Sequence, residues 1–428
     1  MKIVINHLAK MEGHADFVGD ILEGDVAKAR MKTTEGVRLI ERIVVGRHFS
    51  DVPIITARIC GICPVVHSLN TIKCVEDAFD LKVSEQTIKL RKLMELCQFI
   101  HSHALHMYFL SMPDFFGVKD DLEFIQKHPT QAQAAIKSRE FALKTLAVVA
   151  GRAVHPIACE VGGFKVLPRK QQLADLRSDW EDAMKAAMTL VAFAGDLPMP
   201  EFQRPQEYVC LSDRHEYAIY DGQVKFSSGR TATAKNYGKI IDEYQLLGLA
   251  AKRADYKGKS FMVGALARLN INRAKLSPEA KKIMMRLELK FPINNTFFNV
   301  LAQAIELVHA TEIAGMILHD LEKNLRSEES LAKKIRLIAG GNPKGQVVSG
   351  YAVMEAPRGI LYDMLRIDEN GIIQKCDIIT PTVQFLNNIE QDLKVYLPDL
   401  KQLSALKREQ KIKTLIRAYD PCISCATH

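Results

Sequence analysis

Residues 58–67 of this chain read Arg-Ile-Cys-Gly-Ile-Cys-Pro-Val-Val-His, and residues 420–428 read Asp-Pro-Cys-Ile-Ser-Cys-Ala-Thr-His. Each stretch contains a Cys-x-x-Cys pair: Cys60 with Cys63, and Cys422 with Cys425. Two intervening residues let both sulfurs turn toward one point, so each pair can hold a metal ion with two thiolates. If the fold brings the pairs together, four soft sulfur ligands surround one site, which is a donor set for a transition metal.

Two other uses of Cys-x-x-Cys fit this sequence less well. Four cysteines around zinc usually organise a small module with its ligands close in sequence, whereas these pairs lie near opposite ends of 428 residues. A redox-active pair needs a thioredoxin-like βαβ context, which the sequence does not show. The remaining cysteines lie in apolar stretches, where the simple interpretation is small core residues: Cys74, Cys97, Cys159, Cys210 and Cys376.

Composition is that of a globular protein, with 47% hydrophobic and 25% charged residues. The net charge of +8 is mild and dispersed, without a basic cluster interleaved with aromatics, so no nucleic-acid partner is predicted. A basic surface could instead dock an acidic partner. No run of about 18 uncharged apolar residues occurs, so no membrane span is predicted. The start lacks an apolar signal region, and nine cysteines without regular spacing suit a reducing compartment. We therefore expect a cytoplasmic protein.

The pattern of apolar residues predicts an α+β, helix-dominated fold in one domain over residues 1–428. Within it we expect an N-terminal β region (1–60), a helical core (61–200), a small β-containing insertion (205–260), more helical core (261–345), and strands, a helix and the C-terminal motif (350–428). Periodicity predicts helices over 85–110, 131–150, 171–194, 299–325 and 400–418. Turn signals predict hairpins around 23–25, 221–222 and 370–371 and a turn at 340–345.

Further short motifs lie between the two cysteine pairs and before them. These are Glu-Gly-His at 12–14, Glu41 nineteen residues before Cys60, Gly-Arg-Ala-Val-His-Pro at 151–156 followed by Gly162-Gly163, and Glu-Ala-Pro-Arg-Gly at 355–359. In this order, and with the cysteine pairs, they resemble the large, catalytic subunit of nickel–iron hydrogenases over residues 12–428. The related quinone-site subunit of respiratory complex I lacks these cysteines, so the presence of all four argues against it.

The resemblance implies a central bundle of long helices with small peripheral sheets. It also implies reversible heterolytic cleavage of H₂ at a nickel–iron centre. Cys60 and Cys422 would be terminal ligands of nickel, Cys63 and Cys425 would bridge to iron, and the iron would carry CO and CN ligands. The alternatives are a regulatory hydrogen sensor and a non-catalytic, complex I-like electron-transfer or scaffold subunit.

Two groups are candidates for the base that takes the proton from H₂. Arg358 is a poor base, since a guanidinium pKa exceeds about 12, and an electrostatic role beside the open site suits it better. The Cys422 thiolate is the other candidate, with Glu12 carrying the proton outward. Without the resemblance, Arg358 would be taken for a surface arginine in a turn and Glu12 for a solvated carboxylate.

The resemblance assigns further residues to the surroundings of the centre. His67 would donate an N–H to a thiolate, Pro357 and Arg358 would border the diatomic ligands, and the Thr382 hydroxyl would bond a cyanide. Asp420 would hold Arg358, because Ser102 stands where the family often has a second aspartate. His101, His103 and His106 fit a buried polar network better than a second metal site.

A second metal is implied near the C-terminus. Glu41 and His428 would bind magnesium or iron together with a backbone carbonyl near Ile378. The family removes a C-terminal extension after this histidine once nickel is in place, so a chain ending at His428 resembles the processed form.

The resemblance also implies partners. The spare cysteines are too few and too irregularly spaced for an iron–sulfur cluster in this chain, so electrons would leave through an iron–sulfur small subunit. The short insertions resemble the cytosolic multisubunit branch, in which diaphorase-type subunits carrying flavin or iron–sulfur clusters pass electrons to NAD(P), a deazaflavin, ferredoxin or a heterodisulfide. A maturation chaperone and a C-terminal protease are further expected partners.

Overall fold

Four long helices pack side by side around the centre of the protein, in a computed structural model that describes residues 2–22, 25–327, 330–331 and 342–428. The helices are α1 Ile40–Val44, α2 Val52–Thr56, α3 Pro64–Phe79, α4 Glu85–Ala104, α5 Met112–Phe115, α6 Asp121–Lys127, α7 Pro129–Val149, α8 Lys170–Gly195, α9 Ala234–Ile240, α10 Ala265–Asn272, α11 Pro278–Arg286, α12 Asn299–Asn324, α13 Pro381–Tyr396, α14 Ala405–Ala418 and α15 Ile423–Ala426. In the central bundle α4 contacts α7 and α12, and α8 contacts both of these as well.

Small sheets surround the bundle. The strands are β1 Lys2–Ile5, β2 Ala15–Leu22, β3 Asp25–Thr33, β4 Cys159–Glu160, β5 Gly163–Phe164, β6 Glu207–Ser212, β7 Gln223–Phe226, β8 Thr231–Ala232, β9 Ile241–Gln245, β10 Lys252–Tyr256, β11 Phe261–Met262, β12 Val348–Ala356, β13 Gly359–Ile367 and β14 Ile373–Ile379. β1-β2-β3 and β12-β13-β14 are antiparallel three-stranded sheets. The order β11-β6-β7-β8 forms a four-stranded sheet with β11 and β6 parallel. The predicted helix-dominated α+β fold is confirmed.

The long helices form where the apolar residues recur at helical spacing. α4 buries Leu90, Met94 and Cys97 on the face that meets its neighbours, and the Ser84 side chain accepts the Thr87 N–H at its start. It continues into a π-helix over Leu105–Ser111. The structure thus confirms the helices predicted over 85–110, 131–150, 171–194 and 299–325.

Helix α12 is long and apolar. Among the described residues one helical stretch, Thr296–Asn324, has the length and composition of a membrane-crossing segment, and 83% of its apolar window is buried inside the protein. The core helix of a globular protein has the same properties. Here the stretch forms one wall of the central bundle.

The N-terminal region is not strands throughout, so the prediction of a β region over residues 1–60 is wrong for its second half. Residues 40–59 form α1, α2 and a 3-10 turn at Ala57–Ile59. Ile40 and Val44 are buried four residues apart, as are Val52 and Thr56, which is helical spacing. The β-branched composition of this segment resembles that of strands, but its buried positions follow a helix. The predicted turn at 23–25 connects β2 to β3, and residues 23–24 lie outside the described residues.

One predicted hairpin does not form, and one predicted helix is confirmed but begins later than expected. The two-residue hairpin at Asp221-Gly222 does not form, because β7 pairs with β6, where Ser212 faces Gln223. The segment between them is packed inward instead, and the Ile219 carbonyl accepts the Glu355 N–H at 2.9 Å. The helix predicted over 400–418 begins at Ala405, since Ser404 caps it. The hairpin at 370–371 does join β13 to β14, while the turn predicted at 340–345 lies partly outside the described residues.

Candidate metal centre

The fold brings the sulfurs of both Cys-x-x-Cys pairs into one buried cluster. Sγ of Cys60 lies 3.6 Å from Sγ of Cys422, and Sγ of Cys63 lies 3.7 Å from Sγ of Cys425. The Cys422 and Cys425 sulfurs are 2.9 Å apart. A disulfide bond is about 2.05 Å long, and all four cysteines are free thiols. The sulfurs of Cys60, Cys63 and Cys425 lie within 4.8 Å of one another, and Cys422 adjoins Cys60 and Cys425, so four soft donors from distant segments form one cluster.

Each pair stands at the start of a helix. Cys63 immediately precedes α3, whose first residue is Pro64, and Cys422 immediately precedes α15. Proline suits the first helical position because its missing N–H would have no intrahelical partner there. Sγ of Cys60 accepts the backbone N–H groups of Ile62 and Cys63, each at 3.3 Å. Such amide donors favour a thiolate over a thiol.

The four thiols differ in acidity. Hydrogen bonds from the other three cysteines, Cys422 first, lower the pKa of Cys60. Burial raises the pKa of Cys422 and of Cys425 well above the ordinary value. Without a cation the cluster therefore retains protons, and a metal that binds all four sulfurs has to displace them.

Arg38 connects the two cysteine pairs. Its Nη2 donates to the Ile59 carbonyl at 2.7 Å and also to the Ser424 carbonyl, and these two residues immediately precede Cys60 and Cys425. The Arg38 backbone N–H donates to the Thr427 carbonyl at 2.8 Å. One half-buried side chain thus fixes the spacing between segments that are far apart in sequence.

Glu12 lies against the second pair. Cys422 Sγ is 2.9 Å from Glu12 Oε2, which also accepts the Ser424 N–H at 3.0 Å. The Ser424 hydroxyl donates to Glu12 Oε1 at 2.5 Å. A backbone bridge between Glu12 and Cys422 and a bond from the Ile423 N–H to the Glu12 carbonyl hold this arrangement. The carboxylate is half-buried, so it joins the sulfur cluster to the surface side of the site.

Arg358 is buried beside the cluster. Its Nε donates to the Asp420 carbonyl at 2.7 Å, and its Nη2 donates to Asp420 Oδ1 at 2.8 Å. Nη1 is buried and has no hydrogen-bond partner among the described residues, and the same holds for Oγ of Ser102. Asp420 is accordingly the carboxylate that holds the guanidinium. Pro357 and Arg358 form the two-residue connection between β12 and β13.

Thr382 and His67 approach the cluster from two helices. Thr382 lies in the first turn of α13, and its Oγ1 accepts the Cys422 N–H at 3.1 Å. His67 lies on α3 with Nε2 3.7 Å from Sγ of Cys425. Burial lowers the pKa of His67 to about 4, so the ring is neutral at pH 7.

A second polar cluster surrounds the C-terminal histidine. Nε2 of His428 is 2.9 Å from the Ile378 carbonyl and 3.9 Å from Glu41 Oε1, and Nδ1 is 2.6 Å from the Cys425 carbonyl. Burial lowers the pKa of His428. Both ring nitrogens of His428 lie beside carbonyl oxygens, but a neutral imidazole has only one N–H to donate. The other nitrogen therefore directs its lone pair at the lone pair of a carbonyl oxygen, and the two repel. A cation between Nε2, the Ile378 oxygen and Glu41 would relieve that repulsion.

Lys252 completes this cluster and was not predicted. Its Nζ donates to Glu41 Oε2 at 2.9 Å and to Glu243 Oε2 at 3.0 Å. Burial raises the pKa of Glu243 to about 7. The lysine leaves Glu41 Oε1 on the side of His428, where it accepts the Ile378 N–H at 2.8 Å.

The three histidines of the α4 region form a buried polar network, as the sequence indicated. Nε2 of His103 lies 2.9 Å from Glu306 Oε2, and Nδ1 of His106 lies 2.6 Å from Gln303 Oε1. Gln303 in turn donates to Asp420 Oδ2 at 3.2 Å. His101 accepts from Arg139 Nε at 3.3 Å. They are therefore support for the site and do not converge on a separate one.

Comparison with known proteins decides the family. The model of the nickel-dependent hydrogenase family matches residues 38–140 and 201–428. The chain belongs to this family. It is the hydrogen-splitting subunit of a hydrogenase, an oxidoreductase that acts on H₂. The predicted family and enzyme class are confirmed.

Individual relatives cover nearly all of the chain. The alpha subunit of sulfhydrogenase 1 of Pyrococcus furiosus is 31% identical, covering 100% of this chain and 98% of the relative. One subunit of the vhu F420-non-reducing hydrogenase of Methanocaldococcus jannaschii is 30% identical over 91% of this chain and 97% of the relative. A crystal structure of an NAD⁺-reducing [NiFe]-hydrogenase superposes with a TM-score of 0.86 at 25% identity, covering 100% and 99% of the two chains. The Ni-Fe-Se hydrogenase of Desulfomicrobium baculatum, at 21% identity and a TM-score of 0.78 with both chains fully covered, shares the fold.

The residues present fit a nickel centre. The donor set is four free, buried sulfurs, and a guanidinium N–H without a partner among the described residues lies in the same buried region. Burial opposes a charge on Arg358, but Asp420 and the neighbouring cysteines outweigh it and raise the pKa of that guanidinium. A positive group held beside several sulfurs suits an anionic metal–thiolate cluster.

Sequence reasoning missed several residues that shape the site. Arg38 and Lys252 act through backbone carbonyls or carboxylates on distant segments, and so does Arg268, which donates to the Ala356 and Pro357 carbonyls beside Arg358. No local sequence pattern marks any of the three. Ser424 lies inside the second Cys-x-x-Cys pair, and its position next to Cys425 was the available signal.

Proposed function

We propose that this protein cleaves H₂ reversibly and heterolytically at a nickel–iron centre bound by Cys60, Cys63, Cys422 and Cys425. The observation that carries the proposal is the convergence of these four free thiols in one buried cluster. By their positions in the family's motifs, Cys60 and Cys422 would hold nickel, and Cys63 and Cys425 would hold nickel together with an iron carrying CO and CN ligands. When bound, the centre supplies the redox chemistry and the Lewis acidity that polarise H₂.

The protein's own groups then handle the proton. The Cys422 sulfur takes it, since Glu12 Oε2 lies 2.9 Å away and can receive it next. Ser424 keeps the carboxylate in place through its N–H and hydroxyl. Arg358 is less suited to the role of base, because Asp420 and the thiolates stabilise its charge. It acts instead as a fixed positive charge with a free Nη1 donor.

Two donors suit the diatomic ligands of the iron. Nη1 of Arg358 has no partner among the described residues, and the Thr382 hydroxyl, which accepts from the Cys422 N–H, keeps its own proton to donate. The buried Pro357 would keep water away from Arg358, and His67, whose Nε2 lies 3.7 Å from the Cys425 sulfur, would donate to it. Asp420 fixes the guanidinium.

Glu41, His428 and the Ile378 carbonyl are proposed to bind magnesium or iron. The support is that Nε2 of His428 lies 2.9 Å from the Ile378 oxygen with Glu41 beside them. With the ring proton on Nδ1, which is 2.6 Å from the Cys425 carbonyl, Nε2 offers its lone pair to a cation. Carboxylate and carbonyl oxygens suit magnesium. Such an ion would anchor the segment that follows Cys425.

Electrons are proposed to pass to an iron–sulfur small subunit, and from there to a soluble acceptor in the cytoplasm. Exposed apolar side chains near the first cysteine pair suit such a partner: Leu39, Ile54, Val154 and Ile157, 37–59% exposed. The names of the relatives designate them as subunits, which fits a multisubunit enzyme. We further propose that the protein works with diaphorase-type subunits and is matured by a chaperone and a C-terminal protease. The electron acceptor would be NAD(P), ferredoxin, a deazaflavin or a heterodisulfide.

The test is elemental analysis and infrared spectroscopy of the native complex. We expect nickel and iron in equal amounts, CO and CN stretching bands, and H₂-dependent reduction of a dye. The Cys422→Ser variant should lose turnover, while Cys97→Ser, at a buried cysteine outside the cluster, should keep it. Zinc alone in the wild-type protein would contradict the proposal, and nickel with only very slow turnover would indicate a hydrogen sensor.

A further inference from the structure

Arg268 hydrogen-bonds the backbone of the β12–β13 connection that carries Arg358. Nη2 of Arg268 donates to the Pro357 carbonyl at 2.8 Å, and Nη1 donates to the Ala356 carbonyl at 3.0 Å. These are the two residues before Arg358. Arg268 is fully buried, so both bonds form without competition from water.

Two carboxylates fix Arg268 in turn. Glu306 bonds its Nε and Nη2 at 2.6 and 2.8 Å, and Glu355 bonds its Nη1 at 2.6 Å. Burial opposes a charge on Glu306, but Arg268 outweighs it and lowers the pKa of that carboxyl. The Phe99 ring lies 4.9 Å from the guanidinium carbon. The N–H donors of the arginine are thereby aimed in fixed directions.

The backbone around Arg268 also meets the Arg358 turn directly. Gly264, with φ +102°, immediately precedes α10, and a Cβ there would lie 2.9 Å from the Arg358 carbonyl oxygen. On the other side, a Cβ on Gly359 would lie 2.7 Å from Cβ of Val263. Two glycines therefore let the segments touch, and Arg268 follows one helical turn after Gly264, whose carbonyl accepts its N–H at 2.9 Å.

We propose that Arg268 is a positioning residue for H₂ chemistry: with Gly264 it fixes the Ala356–Arg358 backbone, and so sets where Arg358 places its free Nη1 donor. Asp420 holds the far end of the same side chain. Because Arg268 fixes the backbone before Arg358 and Asp420 fixes its guanidinium, the charge does not need to reorganise during turnover. Preorganised charges of this kind stabilise a transition state most effectively. The inference rests on the proposed function of the centre.

The test compares Arg268→Lys with Arg91→Lys in the whole native complex. Arg91 is an equally buried arginine that pairs with both oxygens of Glu76 and donates to the Glu160 carbonyl at 3.1 Å, away from the site. We expect Arg268→Lys to keep wild-type nickel and iron but to lose roughly 10- to 100-fold in turnover per nickel, because displacement by about 1 Å can cost that much. Arg91→Lys should lose stability without losing turnover per nickel.

A double variant separates positioning from general support. If Arg268 acts through Arg358, the Arg268→Lys substitution should cost little more in an Arg358→Lys background, whereas independent effects would multiply. Multiplying losses, or equal turnover per nickel in the Arg268→Lys and Arg91→Lys proteins, would overturn the inference. If Arg268→Lys fails to fold, Gly264→Ala is measured in the same way, with the same outcomes expected.

A crystal structure of the variant gives a readout that does not depend on activity. We expect the 2.7 Å contact between Arg358 Nε and the Asp420 carbonyl to lengthen in the Arg268→Lys protein. An unmoved Arg358 would refute positioning even if the wild-type protein proved to hold no nickel. Absence of nickel from the wild type would refute the proposed function alone.

Discussion

Replacing Arg38 by methionine should loosen the metal centre without touching a metal ligand. The change removes the charged donor that bonds the Ile59 and Ser424 carbonyls and so links the two cysteine pairs. A hydrogen bond to a charged group contributes about 1.5–3 kcal/mol. Arg38 is half-buried, so the carbonyls partly rehydrate and the lower value applies to each. Two bonds at about 1.5 kcal/mol give about 3 kcal/mol, and at about 1.4 kcal/mol per tenfold this makes opening of the centre roughly 100-fold more frequent.

The assay is the rate of nickel loss from the purified holoprotein to an excess of chelator. Arg38→Met should release nickel about 100-fold faster than wild type, and Arg38→Lys should be intermediate, because one ammonium group can satisfy fewer of these acceptors. Arg42→Met, at an exposed arginine on α1, serves as the matched control and should leave the rate unchanged. Equal rates for the Arg38 and Arg42 variants would show that Arg38 does not join the cysteine pairs.

Three other predictions address proton transfer, acid stability and the core. Glu12→Gln should keep its nickel and iron but slow H/D exchange by about 10²–10⁴-fold, since an amide cannot relay the proton; undiminished exchange would remove Glu12 from the route. Burial lowers the pKa of His309 to about 4. The unfolded chain therefore takes up a proton between about pH 6.5 and 4 that the folded chain refuses, and stability falls as pH falls through this window. Between pH 7 and pH 5, calorimetry should show that the free energy of unfolding falls by about 2 kcal/mol less in His309→Asn than in wild type. An equal fall in the two proteins would show that His309 is not the group responsible. Asp392 accepts hydrogen bonds from Arg204, Thr296 and Tyr419, and an asparagine has one acceptor oxygen fewer. Asp392→Asn should therefore lower the free energy of unfolding by about 3 kcal/mol, measured as a lower Tm. Asp399→Asn, at an exposed position, is the control and should leave the Tm unchanged.

The parts of the fold that the sequence predicted are those determined by local pattern. Helix α4 repeats its apolar residues at helical spacing, and Asn370-Gly371 turns one antiparallel strand into the next. The prediction of strands over residues 40–59 was wrong because short helices and short strands rich in Ile and Val have similar sequence patterns over so few residues. The Asp221-Gly222 hairpin failed because the segment before it bonds to Glu355, a partner far along the chain.

The candidate site divides in the same way. Cysteine spacing indicates metal chemistry because two thiolates on one ion require closeness in sequence, and the resemblance supplied Glu12, Thr382 and Glu41. Nothing local distinguishes Arg38 or Arg268 from other arginines. Each is defined by backbone carbonyls that only the folded chain brings within reach.

The sulfur cluster has a consequence for the order of assembly. Cys60 and Cys422 are separated by 362 positions, so a growing polypeptide carries one half of the donors long before the other half is synthesised. Until residues 422–425 are made, the first pair supplies only two of the four sulfurs. Completion of the four-sulfur cluster therefore requires α15 to dock against Glu12 and Arg38.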